Sequence, residues 1–275
     1  MQSSIRDSSA RRRKIALNVR QGGQMVTDAE KQRFIECIEA THSGEHHRDG
    51  IGTLGERTLH LILKKFLEPD STCHEVKIGR YVADICRSDE IIEIQTRAFA
   101  SLAKKIEAYR PDYRVTVVYP IASVKHVSWV DPETGEVSER HKSPKRGNAW
   151  DILPELYALR EKLPLKGVRF MLIFMAIDDY KLLTGKSRDR KSFGAVRYER
   201  IPSELCDIVY LENISDYAAL VPPILPGEFT AAQFAKAAKM SQRTAWRSLR
   251  VLMLLGVIEQ VGMRGRAYLY GRVLK

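Results

Sequence analysis

The sequence predicts an α/β protein in two parts, a medium-sized domain followed by a small basic module at the carboxyl end. Three observations carry that prediction. Helical and β periodicity alternate through the first half in the order helix, three strands, helix, strand. Three prolines gather in "LVPPILPGE" (220–228), the best linker signal in the chain. Beyond them, residues 228–272 read as helix, turn, helix and a β-pair. A chain of 275 residues with 44% hydrophobic side chains can bury a core of this size.

The elements follow in order. "TDAEKQRFIECIEATH" opens on a Thr-Asp start and places Phe34, Ile35 and Ile38 at helical spacing. "SGEHHRDGIG" breaks it. The next helix, "TLGERTLHLILKKFLEPD", sets Leu59, Ile62, Leu63, Phe66 and Leu67 on one stripe, carries Glu56 in its first turn and stops at Pro69. Three β-like runs, "HEVKI", "RYVADIC" and "EIIEIQT", are separated by turns at Gly79 and Ser88-Asp89. "FASLAKKIEAY" reads as a polar helix, and "YRVTVVYPI" is apolar and β-branched enough for a buried strand.

In the second half, "VKHVSWV" and "GEVSERH" flank Asp131-Pro-Glu-Thr-Gly135, a hairpin signal. "AWDILPELYALREKL" predicts helix despite Pro154, and "VRFMLIFMAI" a second buried strand. Two stretches rich in positive charge, 141–148 and 185–200, are expected as surface loops, with phosphate contact as their functional alternative.

Composition excludes several classes. No apolar run approaches the roughly 18–20 residues of a membrane span, and the basic residues at the amino terminus precede no apolar signal-peptide core, so a cytoplasmic protein is expected. Cys37, Cys73, Cys86 and Cys206 form no CxxC pair, which fits reduced thiols rather than a sulfur-bound metal. The histidines show no HxH or HExxH spacing. The net charge of +11 sits at the ends: residues 1–24, a basic tail, hold six basic side chains against Asp7, and residues 229–275 hold nine against Glu259. The body between is almost neutral. Cationic ends on a neutral body are the electrostatic footprint of a nucleic-acid partner, and solvated tails are the plainer alternative.

The chemistry concentrates in "YVADICRSDEIIEIQTR". Alternation sends Tyr81, Ala83 and Ile85 to one face and Val82, Asp84 and Cys86 to the other. On the next run Ile92 and Ile94 oppose Glu93 and Gln95. Pairing through the short turn places Asp84 beside Glu93. Two carboxylates together raise each other's proton affinity unless a cation or strong donors compensate, and a hard divalent ion does so well. The plainer alternative is a solvated sheet face.

Glu56 on the preceding helix, Asp84, and Glu93-Ile94-Gln95 resemble the PD-(D/E)XK nuclease superfamily, in the variant with Gln at the usual Lys position; Ala83 stands where the family name has Pro. The resemblance covers roughly residues 50–120, including the element order. It implies a mixed sheet flanked by helices over 25–222, and a catalytic centre of Glu56, Asp84, Glu93 and Gln95. Asp84, Glu93 and Glu56 would hold Mg²⁺ or Mn²⁺, polarising a scissile phosphate and lowering the pKa of an attacking water, which Gln95 would orient. Lys77 or Lys104 would supply the cation that Gln95 lacks, and Arg97 and Lys104 would contact nucleic acid.

The expected carboxyl-terminal domain, 223–275, resembles a winged helix-turn-helix DNA-binding domain over about residues 228–272. Thr230-x-x-Gln233 has capping-box spacing, Met240-Ser241 breaks the helix, and a second helix from about Gln242 to Leu255 ends at Gly256 before a β-pair around Met263-Arg264-Gly265. The resemblance implies that Gln242, Arg243, Thr244 and Arg247 enter the major groove and that Arg264 and Arg266 meet the backbone. The expectation is a Mg²⁺-dependent endonuclease acting on DNA. A DNA-binding regulator with an inert nuclease-like domain is the alternative. Cutting both strands needs two centres, which a homodimer would supply, although no interface is legible.

Overall fold

The computed structural model describes residues 26–42, 54–184 and 194–273, with backbone alone at 54–57 and 197. The basic tail, most of 185–200 and the loop with His46 and His47 lie outside the described residues. Helices α1 (Asp28–His42) and α2 (Leu54–Leu67) come first, then strands β1 (His74–Ile78), β2 (Tyr81–Cys86) and β3 (Glu90–Ile94), helix α3 (Phe99–Tyr109) and strand β4 (Arg114–Val130). The short β5 (His141–Lys142), helical turns over 149–162 that include α4 (Leu153–Leu156), and the long strands β6 (Val168–Leu183) and β7 (Ala195–Leu211) complete the sheet. Helix α5 (Ile214–Ala218) leads to β8 (Glu228–Thr230), α6 (Ala231–Ala238), α7 (Gln242–Leu254), β9 (Ile258–Arg264) and β10 (Ala267–Arg272).

The main sheet runs in the order β1-β2-β3-β4-β6-β7, with β5 beside β4. β1, β2 and β3 are antiparallel, β3–β4 and β4–β6 are parallel, and β6–β7 is antiparallel. The sheet is therefore mixed. Each parallel step needs a crossover, supplied by α3 and by the helical turns at 149–162. One face meets α1 and α2 through Phe34, Leu59, Ile62 and Leu63 on Ile85, Ile92, Ile94 and Ile173. The other face carries Ala83, Ile91, Val117, Phe170 and Leu172 beneath α3 and the 149–162 turns. With both faces covered, β4 and β6 read as continuous apolar runs rather than alternating ones.

Several expectations change. "YRVTVVYPI" and "VKHVSWV" form one seventeen-residue strand, because β6 pairs along its whole length past Pro120 with a single register shift between Ala122 and Val124. The Asp131–Gly135 turn forms, but beyond it only a bridge at Val137 and the two residues of β5 return to β4. The basic stretch expected as a loop up to 200 becomes strand from Ala195, since β7 finds backbone partners on β6. The loop at 143–148 is held on β4: the Gly147 N–H donates to the Ala122 carbonyl at 2.8 Å, and a Cβ there would fall 2.5 Å from Ile121 Cγ2.

The proline-rich segment is packed rather than a free linker. Leu220, Val221 and Leu225 are buried in the core shared with α3, and the Arg272 guanidinium donates to the Pro226 carbonyl at 3.1 Å and the Pro222 carbonyl at 3.2 Å. The carboxyl-terminal module forms its own three-stranded sheet, β8-β10-β9, against α6 and α7. Its Phe234, Leu249 and Leu252 join the same core as Trp150 and Leu153, and the Trp150 indole N–H donates to the Ala238 carbonyl at 3.2 Å. Thr230 and Gln233 close the anticipated capping box.

Candidate functional site

The sheet opens at Asp84. β2 pairs with β3 at Ile85↔Ile92 and Cys86↔Ile91, and beyond that point the Asp84 carboxylate takes the place of a backbone partner: Oδ2 accepts the Ile94 N–H at 2.7 Å. The alternation predicted for β2 breaks at this residue. Ala83 packs on the α3 side, whereas Ile85 packs on the α2 side with Ile92 and Ile94. A side-chain oxygen in place of a carbonyl lets two strands part without leaving a buried N–H unsatisfied.

Glu93 sits at this opening, 2% exposed. Its carboxylate is gripped by Lys105 of α3, with Nζ 2.8 Å from Oε2 and 3.0 Å from Oε1, and the same ammonium donates to the Val82 carbonyl at 2.8 Å. Burial first, and the neighbouring Asp84 charge second, push the Glu93 carboxyl up to about 7, against the pull of Lys105. The buried phenol of Tyr109 faces the same carboxylate, and burial and the Glu93 charge hold it far above its ordinary range.

Local sequence explains how α3 reaches back. Gln95 and Arg97 leave the end of β3, and Ala98 adopts the left-handed conformation (φ 60°) as the residue before the helix. That sharp reversal lays α3 over the sheet face from which Glu93 projects. Phe99, Leu102, Ile106 and Tyr109 form its buried stripe. Lys105 flanks the stripe, three residues after Leu102 and four before Tyr109, so its stem lies against protein while its ammonium reaches the acid.

The predicted site residues therefore separate. Asp84 and Glu93 come together as expected. The cation beside them is Lys105; Lys77 and Lys104 are exposed. The Gln95 amide turns back to donate to the Arg97 carbonyl, and the Gln95 N–H donates to the Val118 carbonyl at 2.8 Å. Glu56 lies on α2, whose described residues pack on the opposite sheet face from Glu93, and its side chain lies outside the described residues. Among the described residues, no three His, Cys, Asp or Glu side chains come within metal-binding reach of one another. Arg97 is exposed.

In the carboxyl-terminal module, Gln242 and Arg243 are exposed at the start of α7. Thr244 is engaged in the helix cap: its N–H donates to Ser241 Oγ at 3.1 Å, and the two hydroxyls lie 2.8 Å apart. Arg247 lies over the Tyr157 ring, 5.5 Å from its centroid, and so faces the main domain rather than standing free. Arg264 and Arg266 are exposed at the β9–β10 turn.

Fold and site together define a mixed-sheet α/β protein whose sheet parts at the half-buried Asp84, beside a buried Glu93 that is paired with Lys105. The chain belongs to the DUF8091 family, described as a domain of unknown function, whose model matches residues 57–212. That span takes in the whole opening at Asp84 and ends before the carboxyl-terminal module. A protein of Treponema pallidum (strain Nichols), described as uncharacterized, is 28% identical over 181 residues, covering 64% of this chain and 68% of that protein. No solved structure matches.

Proposed function

We propose that this protein is a metal-dependent nuclease of the PD-(D/E)XK kind, a phosphodiesterase that cleaves within DNA, with the carboxyl-terminal winged helix holding the substrate. The observation that carries this reading is the buried Glu93 carboxylate, set beside Asp84 where β2 and β3 part and holding its proton up to about 7. A structural acid has no need of a second carboxylate as its neighbour, whereas a site for a hard cation does. The two carboxylates offer oxygen donors, the kind that Mg²⁺ or Mn²⁺ takes. Bound there, such an ion would supply Lewis acidity toward a phosphate oxygen.

The protein's own groups have separate tasks in this reading. Asp84 is oriented by the Ile94 N–H, so its second oxygen is free to turn toward a ligand. Lys105 supplies the positive charge that Gln95 does not, at the place where charge would develop on a phosphate. The exposed Arg97, Lys104, Arg243, Arg264 and Arg266 offer phosphate contacts.

One observation favours the alternative of a DNA-binding regulator with an inert domain: Lys105 already bonds both Glu93 oxygens and satisfies the acid internally. Cleavage of supercoiled and linear DNA with Mg²⁺ or Mn²⁺ separates the two. The nuclease reading expects cutting that is lost in Asp84→Ala and Glu93→Ala. Salt-sensitive DNA binding without cutting on any substrate would establish the regulator.

A further inference from the structure

Between the 157–162 turns and α7 lies an open cleft of about 130 Å³, lined by Tyr157, Arg160, Glu161, Trp246, Arg250 and Leu254. Trp246 is 54% exposed, although Ala245 and Leu249 on the same helix are buried. Its ring meets Tyr157 at 6.0 Å and 60°. Two guanidinium groups cover the Tyr157 ring, Arg160 at 4.9 Å and Arg247 at 5.5 Å. The acid in the cleft, Glu161, is ion-paired with Arg160 at 3.2 Å. Arg243 and Arg250, one turn to either side of Trp246 on α7, are exposed.

We infer that this composite cleft binds an unpaired nucleotide segment, with a base stacked on Trp246 and phosphates held by Arg243, Arg250 and Arg160. The inference rests on the nucleic-acid reading above and deepens it by naming the substrate class as single-stranded or locally opened DNA. Charge complementarity selects an anionic occupant, and an indole face open between arginines selects a flat aromatic one. A paired duplex satisfies only half of this. Its base faces are already stacked, and a major-groove edge is read by bidentate polar side chains, which Trp is not. Arg247 and Tyr157 lie together beside Trp246 and join the helix to the main domain.

Fluorescence anisotropy of the full chain, in EDTA so that no cleavage intervenes, tests this with an oligothymidylate and a blunt duplex of equal length. Trp246→Ala is expected to weaken oligothymidylate binding on the order of tenfold, in the range for losing one stacked base, and to leave duplex binding unchanged. Trp246→Phe, which keeps an aromatic face, should retain most of the affinity. Arg250→Ala should weaken both ligands and flatten the salt dependence. Unchanged oligothymidylate binding in Trp246→Ala, or equal losses on both ligands, would overturn the inference while leaving the nucleic-acid reading in place. Wild-type protein that binds neither ligand would overturn the reading itself.

Discussion

Glu93 and Lys105 show how far one residue's chemistry depends on its neighbours. The carboxyl is raised by burial and by Asp84, so the folded protein holds the proton more tightly than the unfolded chain, whose ordinary value is 4.5. Between about pH 5 and 7 the native state therefore carries the extra proton, and stability falls as pH rises through that window. In metal-free buffer, denaturant titrations across it should show this slope, and Glu93→Gln should flatten it. Lys105→Met leaves a buried charge without its partner and should destabilise by about 3 kcal/mol at pH 8, less at pH 6 where a proton can replace the ammonium. An equal loss at both pH values would show that Lys105 acts through packing instead. The sequence marks Asp84 and Glu93, because two acids in apolar strands are unusual. It cannot separate Lys104 from Lys105, since adjacent lysines in a polar helix look alike until the buried stripe is known.

At the scale of elements, local signals were strong wherever the backbone satisfied itself nearby. The capping box at Thr230 is one such case: its hydroxyl accepts the Gln233 N–H at 3.3 Å, and the Gln233 side chain accepts the Thr230 N–H at 2.8 Å. Thr230→Ala should cost about 1 kcal/mol in denaturation experiments, and Thr230→Ser should recover most of it, because either hydroxyl caps the helix. Helices α1 to α3 and strands β1 to β3 were legible for the same reason, through periodicity and turns that lie within a few residues. The long strands were not. β7 carries charged residues through much of its length and is a strand because β6 lies beside it, and the break in alternation at Asp84 follows from a hydrogen bond to Ile94 ten residues away. Neither leaves a local trace.

At the scale of the whole molecule, the carboxyl-terminal module and the main domain share a core. The core beneath α3 continues through Trp150, Leu153 and Leu220 into Phe234, Leu249 and Leu252 without an intervening polar layer. Calorimetry of the full chain should accordingly show a single unfolding transition. Two well-separated transitions would contradict a shared core. Removing residues after 222 should expose the apolar surfaces of the 149–162 turns and yield a poorly folded product. Amino-acid order alone marked the early helices and short strands, the basic ends and the nearness of Asp84 to Glu93, because periodicity, charge and short turns act over a few residues. Only the folded chain decided which lysine faces the acid, which sheet face α2 covers, and that the carboxyl-terminal helices stand against Tyr157. Those contacts join residues far apart in sequence, and burial, not local propensity, selects among them.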